Sequence, residues 1–266
     1  MTVLTLRLAG PLQSWGAAAR FARRTTESAP TKSGVIGLLA AAKGIQRGDD
    51  ERLAPLAALR FGVRVDQPGT RLRDFQTAHH ADTDKAMPLS ERFYLADAVF
   101  VAAVEGDHDL LDELHSALTR PVYPPFLGRR SCPPAQPVEM NLHPEGDLRK
   151  ALSTEPWQAS RWYARRQRSG PTVRLAVLHE APADDPAADV LRDQPVSFAA
   201  EHRRHGLRTI VRSEAEVPNP HASPNPHASP NPHASPNPHA SPNPHPRPNP
   251  HAPRHDPFAA LAEESD

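Results

Sequence analysis

A single cysteine, Cys132, stands among the 266 residues. Neither an intrachain disulfide framework nor a cysteine-built zinc site can therefore form. Long apolar runs are also missing, and none approaches the roughly 20 residues that a membrane-spanning helix needs. The first residues, Met1 to Arg7, lack the basic start and cleavable apolar stretch of a secretory signal. They read as a first strand, and a cytoplasmic protein with no membrane partner is expected. Net charge is absent as well: 31 Lys+Arg balance 31 Asp+Glu, so no global basic field advertises nucleic acid. Lysine is scarce beside arginine. Arginine forks phosphates and stacks on bases, but a GC-rich genome gives the same bias, so the observation is neutral. Finally, Pro30-Thr31-Lys32-Ser33-Gly34 lacks the preceding glycine and the spacing of a phosphate-binding P-loop, which argues against a nucleotide triphosphatase. No cofactor and no metal are expected.

What is present centres on the connection from Gly10 to Gly34. Val3, Leu4, Leu6 and Leu8 precede it as a β-like run. Val35, Ile36, Leu38 and Leu39 follow it as an apolar helix. Between them lie Gln13, Ser14, Trp15 and Gly16, then Arg20, Arg23 and Arg24, then Thr31, Lys32 and Ser33. Backbone N–H groups at a helix start, aided by the helix dipole, favour phosphate. The arginines add charge, and Trp15 offers a flat face on which a base can stack. The connection is therefore expected to contact nucleic acid. Its bland reading is a strand-to-helix crossover with a solvated arginine face.

Further along, Leu53 to Leu59 suggests a short helix, and Arg60 to Asp66 a strand with Phe61, Val63 and Val65 on one face. Gln67 to Arg92 loses apolar periodicity, as functional insertions do. Its flanks, Leu72 to Thr77 and Ser90 to Leu95, alternate and are expected to pair as a protruding hairpin arm carrying Arg71, Arg73 and Gln76. Phe93 to Glu105 reads as one strong strand, Asp107 to Thr119 as an amphipathic helix, and Pro121 to Pro134 as a proline-stiffened loop. That loop holds Gly128-Arg129-Arg130-Ser131, where Arg129 and Arg130 offer a second phosphate contact. Cys132 beside its prolines reads as a small packed residue. Val138 to Leu142 and Val173 to His179 are further strands, and Leu148 to Leu152 a short helix. Val196 to Arg212 reads as two short apolar pieces around Arg203-Arg204-His205.

The element order predicts an α+β fold: a ferredoxin-like (RRM-like) split βαβ palm over residues 1–142, with the arm inserted at about 67–92. A small mixed C-terminal segment is expected over 143–217, packed on the palm. Residues 218–266 carry the hexamer Asn-Pro-His-Ala-Ser-Pro, which cannot build a core and reads as a disordered tether. In polyproline II geometry its histidines share a face but lie roughly 19 Å apart, too far to share one ion. His79-His80 could act as acid and base in a metal-independent ribonuclease, but neighbours on an extended chain point opposite ways. Trp157 and Trp162 read as core or interface residues rather than base-stacking ones.

Taken together, Leu8-Ala-Gly-Pro-Leu-Gln-Ser-Trp-Gly16, Arg20-Phe21, Pro30-Thr-Lys-Ser-Gly-Val-Ile-Gly-Leu-Leu-Ala40, Leu72-Arg-Asp-Phe-Gln-Thr77, Tyr94-Leu-Ala-Asp-Ala98 and Pro121-Val-Tyr-Pro-Pro-Phe-Leu-Gly-Arg-Arg-Ser-Cys-Pro133 resemble the Cas-five-type family. That family supplies a subunit of Cascade, the type I-E CRISPR surveillance complex. The resemblance runs from Met1 to about Arg212 and leaves out the repeat tail. It implies an RRM-like palm with a thumb-like arm, and a non-catalytic subunit that binds the 5′ handle of crRNA and caps one end of the assembly. It implies partners as well: a backbone subunit beside the thumb, the large subunit and, indirectly, target DNA. Some relatives in other subtypes cleave repeat RNA. The alternatives are therefore a metal-independent endoribonuclease using His79, His80 or Tyr94, and a pure protein–protein adaptor.

Overall fold

The computed structural model describes residues 1–16, 23–167, 170–182 and 184–222. The chain divides into two units, Met1–Asn225 and Pro226–Asp266, and every described residue lies in the first. The tether expected over 218–266 falls almost wholly outside the described residues, as does the candidate Arg20.

The described residues form a mixed α+β fold. Its strands are β1 (Thr2–Ala9), β2 (Leu12–Gln13), β3 (Arg23–Arg24), β4 (Arg60–Gln67), β5 (Thr70–Gln76), β6 (Ser90–Ala96), β7 (Val99–Gly106), β8 (Glu139–His143), β9 (Thr172–Glu180), β10 (Asp189–Ser197) and β11 (Arg204–Pro218). The helices are α1 (Lys32–Ala42), α2 (Asp50–Ala58), α3 (His108–Thr119), α4 (Leu148–Thr154) and α5 (Arg161–Arg166). Local chemistry sets the helix starts. Thr31 caps α1, and Asp49, Asp107 and Asp147 cap α2, α3 and α4, each accepting from backbone N–H groups of the first turn, which satisfies donors the helix itself leaves open.

A seven-stranded sheet runs in the order β10-β11-β9-β4-β7-β1-β8, and all of these pairings are antiparallel. Within it, β8-β1-β7-β4 are joined by α1 and α2 between β1 and β4, and by α3 between β7 and β8. Strands β9 to β11 continue the same sheet through β4. The central strands are buried on both faces, which is why Val99 to Val104 reads as an unbroken apolar run. On one face Leu4, Leu6, Leu8, Phe61 and Phe100 pack against Val35, Ile36 and Leu39 of α1 and Leu111 and Leu114 of α3. On the other, Val3, Val101 and Ala103 meet Leu148, Ala151 and Leu152 of α4. A satellite cluster joins Trp157 and Ala164 to Leu175 and Val217.

The arm is a second sheet, in which β5 pairs with β6 from Thr70–Ala96 to Gln76–Ser90. The two-residue strands β2 and β3 flank β6, antiparallel and parallel respectively. Two expectations need correction, and one element was missed. Phe93 to Glu105 is not one strand, because Asp97 takes a left-handed conformation (φ 56°) and divides it into β6 in the arm and β7 in the palm. Val196 to Arg212 is not two short pieces but the end of β10 and most of the 15-residue β11. Helix α5 had no apolar period to announce it. In β11 the inward positions include Ala215 while Glu214 and Glu216 face out, so the alternation is real but weakly apolar.

Candidate nucleic-acid interface

The Gly10 to Gly34 connection turns most of its candidate side chains inward. Trp15 is fully buried in the main core, and its indole Nε1–H donates to Gln13 Oε1 at 3.0 Å. Gln13 Nε2 in turn donates to the Leu8 and Ala98 carbonyls at 3.0 and 2.7 Å, and Ser14 Oγ donates to the Phe93 carbonyl at 3.0 Å. Base stacking on Trp15 is thereby excluded in this conformation. The nearby glycines serve the packing of that ring rather than a phosphate. A Cβ on Gly34 would stand 2.8 Å from the Trp15 ring, and one on Gly128 (φ 84°) would collide with the Ser14 carbonyl. Gly16, by contrast, is exposed.

Helix α1 does bind an anion at its start, but the anion is internal. Asp193 of β10 accepts the Lys32 backbone N–H at 2.8 Å and is forked by Arg208 of β11 at 2.6 and 2.9 Å. Lys32 Nζ pairs with Glu180 at 2.8 Å, and its side chain is 3% exposed. Burial pushes the Lys32 ammonium below the ordinary lysine value, with Glu180 pulling the other way. Thr31 and Ser33 are buried too, Thr31 as the cap. Lys32 thus locks the helix to the C-terminal strands, Thr31 and Ser33 bond within its first turn, and none of the three side chains faces solvent. The helix start has the anion preference expected of it, and a carboxylate of the same chain fills it.

The basic surface lies instead around the root of the arm. Directly paired strand residues share a sheet face. The registers Arg73–Phe93, Arg71–Leu95 and Arg23–Glu91 therefore gather Arg23, Arg71 and Arg73 around Phe93. The Arg23 and Arg71 guanidinium carbons stand 5.4 and 5.8 Å from the Phe93 ring centre. Glu91 offsets part of the charge, pairing with Arg73 at 2.6 Å and more loosely with Arg23 at 3.8 Å. The registers Arg24–Arg92 and Leu72–Tyr94 put Arg24 and Arg92 on the other face. There Arg129 covers the Tyr94 ring at 4.9 Å. Arg129 Nη2 donates to the Arg24 carbonyl at 2.9 Å and Arg71 Nη2 to the Thr26 carbonyl at 2.7 Å. Arg129 thus ties β3 to the loop that follows α3, and Arg71 ties the arm to the segment just after β3. Arg129 Nη1 and Arg92 Nε are buried atoms with no hydrogen-bond partner among the described residues. Arg130 is exposed, and Gln76 lies half-buried at the outer end of β5.

Of the sequence candidates, then, Arg23, Arg71 and Arg73 gather on one face of the arm root and Arg24 and Arg129 meet on the other. Arg130 is exposed, and Gln13, Ser14, Trp15, Thr31, Lys32 and Ser33 do not join them at the surface. Sequence reasoning missed Arg92 and the organising role of Phe93. The alternation of Ser90 to Leu95 was the available signal, since it places Arg92 and Tyr94 on one face and Glu91 and Phe93 on the other. His79 and His80 do not form an acid–base pair. His79 Nδ1 contacts Asp84 at 3.0 Å, and His80 lies 4.0 Å from Asp82.

The palm sheet offers no stacking platform. In RRM proteins the open sheet face stacks bases on aromatic side chains. Here the face turned away from α1 and α3 is covered by α4, and it carries Arg64 and Asp66, both fully buried and paired at 2.7 Å. Arg64 also donates to the Glu155 and Pro156 carbonyls at 2.7 and 3.0 Å. Burial pushes the Asp66 carboxyl above its ordinary value against the pull of Arg64. Glu155 differs: burial raises its carboxyl, but hydrogen bonds from Thr5, Asn141 and His143 outweigh burial and leave it below the ordinary value. Among the described residues no group of His, Cys, Asp or Glu is gathered that could hold a metal ion, and no helix is long and apolar enough to cross a membrane.

Residues 3–211 match the family model described as CRISPR-associated protein (Cas_Cas5). A curated relative, the CRISPR system Cascade subunit CasD of Escherichia coli (strain K12), is 38% identical over 167 residues, covering 56% of this chain and 75% of the relative. Among solved structures, a chain of a CRISPR RNA-guided surveillance complex superposes with a TM-score of 0.66 at 33% identity, covering 85% of this chain and 95% of its own. A crystal structure of a Cas protein gives a TM-score of 0.61 at 36% identity, covering 84% and 99%.

Proposed function

From the premise that the chain belongs to the Cas5 family of CRISPR-associated proteins, we propose that it is a non-catalytic RNA-binding scaffold. In this reading it is the subunit of a type I-E surveillance complex that holds the 5′ handle of crRNA at one end of the assembly. The observation that carries the reading is the arginine cluster at the arm root. Arg23 and Arg71 flank Phe93, and Arg129 overlies Tyr94. A single-stranded handle presents phosphates and splayed bases together, and guanidinium groups beside aromatic rings answer both. The proposed contacts are Gly16, Arg20, Arg23, Arg24, Arg71, Arg73, Gln76, Arg92, Arg129 and Arg130.

The strand order β8-β1-β7-β4, with helical crossovers after β1 and β7, supports a ferredoxin-like palm within residues 1–142. The arm then spans about 67–92, and 143–217 form a C-terminal part that extends the palm sheet. Leu72, Phe75, Met87 and Leu89 are exposed apolar side chains on the arm, suited to a protein neighbour such as the backbone subunit. The large subunit, and target DNA indirectly, complete the proposed set of partners, and the cytoplasm is the proposed location.

The test is binding of handle RNA and of a scrambled RNA of equal length across a salt series. The native chain is expected to prefer the handle, with affinity falling on a log–log plot at about 0.7 per neutralised phosphate. The double variant Arg71→Ala/Arg73→Ala is expected to weaken binding and flatten that slope. Equal affinity for both RNAs would overturn the reading. Incubation with repeat RNA in EDTA is expected to leave the RNA intact, and a product ending in a 2′,3′-cyclic phosphate would establish a ribonuclease instead.

A further inference from the structure

Helix α5 carries a basic aromatic face that nothing in the handle reading uses. Its sequence, Arg161-Trp-Tyr-Ala-Arg-Arg166, turns Ala164 inward, and Tyr163 packs on the cluster of Trp157, Leu175 and Val217. The remaining side chains point outward. Trp162 is 51% exposed, a high value for the largest side chain in a chain whose other tryptophans are 0% and 9% exposed. Arg166 lies over the Trp162 ring at 5.8 Å, and Tyr163 meets that ring edge-on at 5.8 Å, so the indole is held between neighbours with much of its surface free. Arg161, Arg165 and Arg166 are exposed and form no ion pair among the described residues.

The helix is fixed to the arm root. Ser160, its N-cap, donates from its backbone N–H and its Oγ to Gln67 Oε1 at 3.1 and 2.7 Å. Gln67 is the last residue of β4 before the arm, and its Nε2 donates to the carbonyl of Asp97, where the arm returns to the palm. Trp157 Nε1–H donates to the Asp66 carbonyl at 3.0 Å from the same side. One buried amide thus ties α5 to both ends of the arm.

Unpaired arginines beside an exposed tryptophan combine phosphate attraction with a stacking platform, the pairing that single-stranded nucleic acid recognises. We propose that the Arg161-Trp162-Arg165-Arg166 face is a second single-strand site. It would take the RNA that continues beyond the handle as that RNA leaves the arm root, with a base on Trp162 and phosphates on Arg165 and Arg166. This inference rests on the handle reading and extends it to a surface on the α4 side of the palm.

The experiment compares two RNAs on the full chain: the handle alone, and the handle extended by a run of uridines. The extended RNA is expected to bind about tenfold tighter and to quench tryptophan emission, since only Trp162 is well exposed. Trp162→Phe is expected to abolish the quench. Arg165→Ala/Arg166→Ala is expected to remove the tenfold gain and lower the salt slope for the extended RNA by about 1.4, with handle binding and melting temperature unchanged. Handle binding without any gain from the extension would overturn this inference alone. A variant that keeps its RNA slope but loses a co-purifying acidic protein would overturn it too, by assigning the face to that protein. Failure of the native chain to bind either RNA would overturn both readings.

Discussion

The start of α1 and the root of the arm are built from the same kinds of residue, basic side chains near glycine and an aromatic ring, yet they end in opposite environments. At α1, Lys32 and the helix N–H groups meet Glu180 and Asp193 in the interior, and Trp15 is sealed beneath them. At the arm, Arg23 and Arg73 share one carboxylate, Glu91, Arg71 donates to the Thr26 carbonyl, and all three are exposed around Phe93. The first region holds the palm to its C-terminal strands. The second leaves its charge at the surface. A motif's charge becomes surface charge only where no distant residue claims it.

The largest effects should come from the buried region. Trp15→Ala empties a fully buried ring site and is expected to cost about 3–5 kcal/mol of stability, read as a fall in denaturation midpoint. Asp193→Ala leaves the start of α1 without its acceptor and Arg208 with only the looser contact to Glu180 at 3.9 Å, and about 3 kcal/mol is expected. If either variant kept native stability while losing RNA affinity, the contrast between the two regions would collapse. The arm variant Arg73→Ala should do the reverse. Its exposed pair with Glu91 is worth at most about 1 kcal/mol, but removing a phosphate contact is expected to lower the salt slope by about 0.7. A stability loss with an unchanged slope would make the arm arginines structural as well.

A smaller effect sharpens the contrast by pH. The Glu155 carboxyl is held below its ordinary value, so its stabilisation is present above the unfolded carboxylate range near about 4.3 and is lost as pH falls through the lower folded value. Melting temperature is expected to drop in that acid window, and Glu155→Gln to flatten the drop. Asp66, whose carboxyl is raised, works in the opposite sense, so the comparison of native and Glu155→Gln chains isolates the first group. Handle affinity, measured at fixed temperature below melting, is expected to follow neither group. The smallest effect is expected at His79→Ala, which sits on the exposed arm tip and should change neither RNA integrity nor the salt slope.

The mixed α+β character was readable because several elements are locally self-consistent. Phe61, Val63 and Val65 alternate, Leu111, Leu114 and Leu118 recur at helical spacing, and Asp49 and Asp107 mark helix starts. The arm was readable from its alternating flanks. Helix α5 was not, since its six residues include three arginines and only its contacts with Trp157, Leu175 and Val217 hold it. Half of the candidate site was legible for a related reason: arginines on a two-stranded arm have little structure over them, whereas residues in a crossover between core elements are easily covered.

By itself the sequence determined the alternation of strands and helices, the inserted arm, the onset of the repeat and the order of motifs that marks the family. Those properties reside in neighbouring side chains and in spacing. Only the tertiary structure decided which charges face outward. Lys32 and Asp193 are 161 residues apart, and no local pattern in either segment encodes the other. Burial of an ionic group depends on a partner brought close by the fold, because in the interior an unpaired charge is too costly to persist.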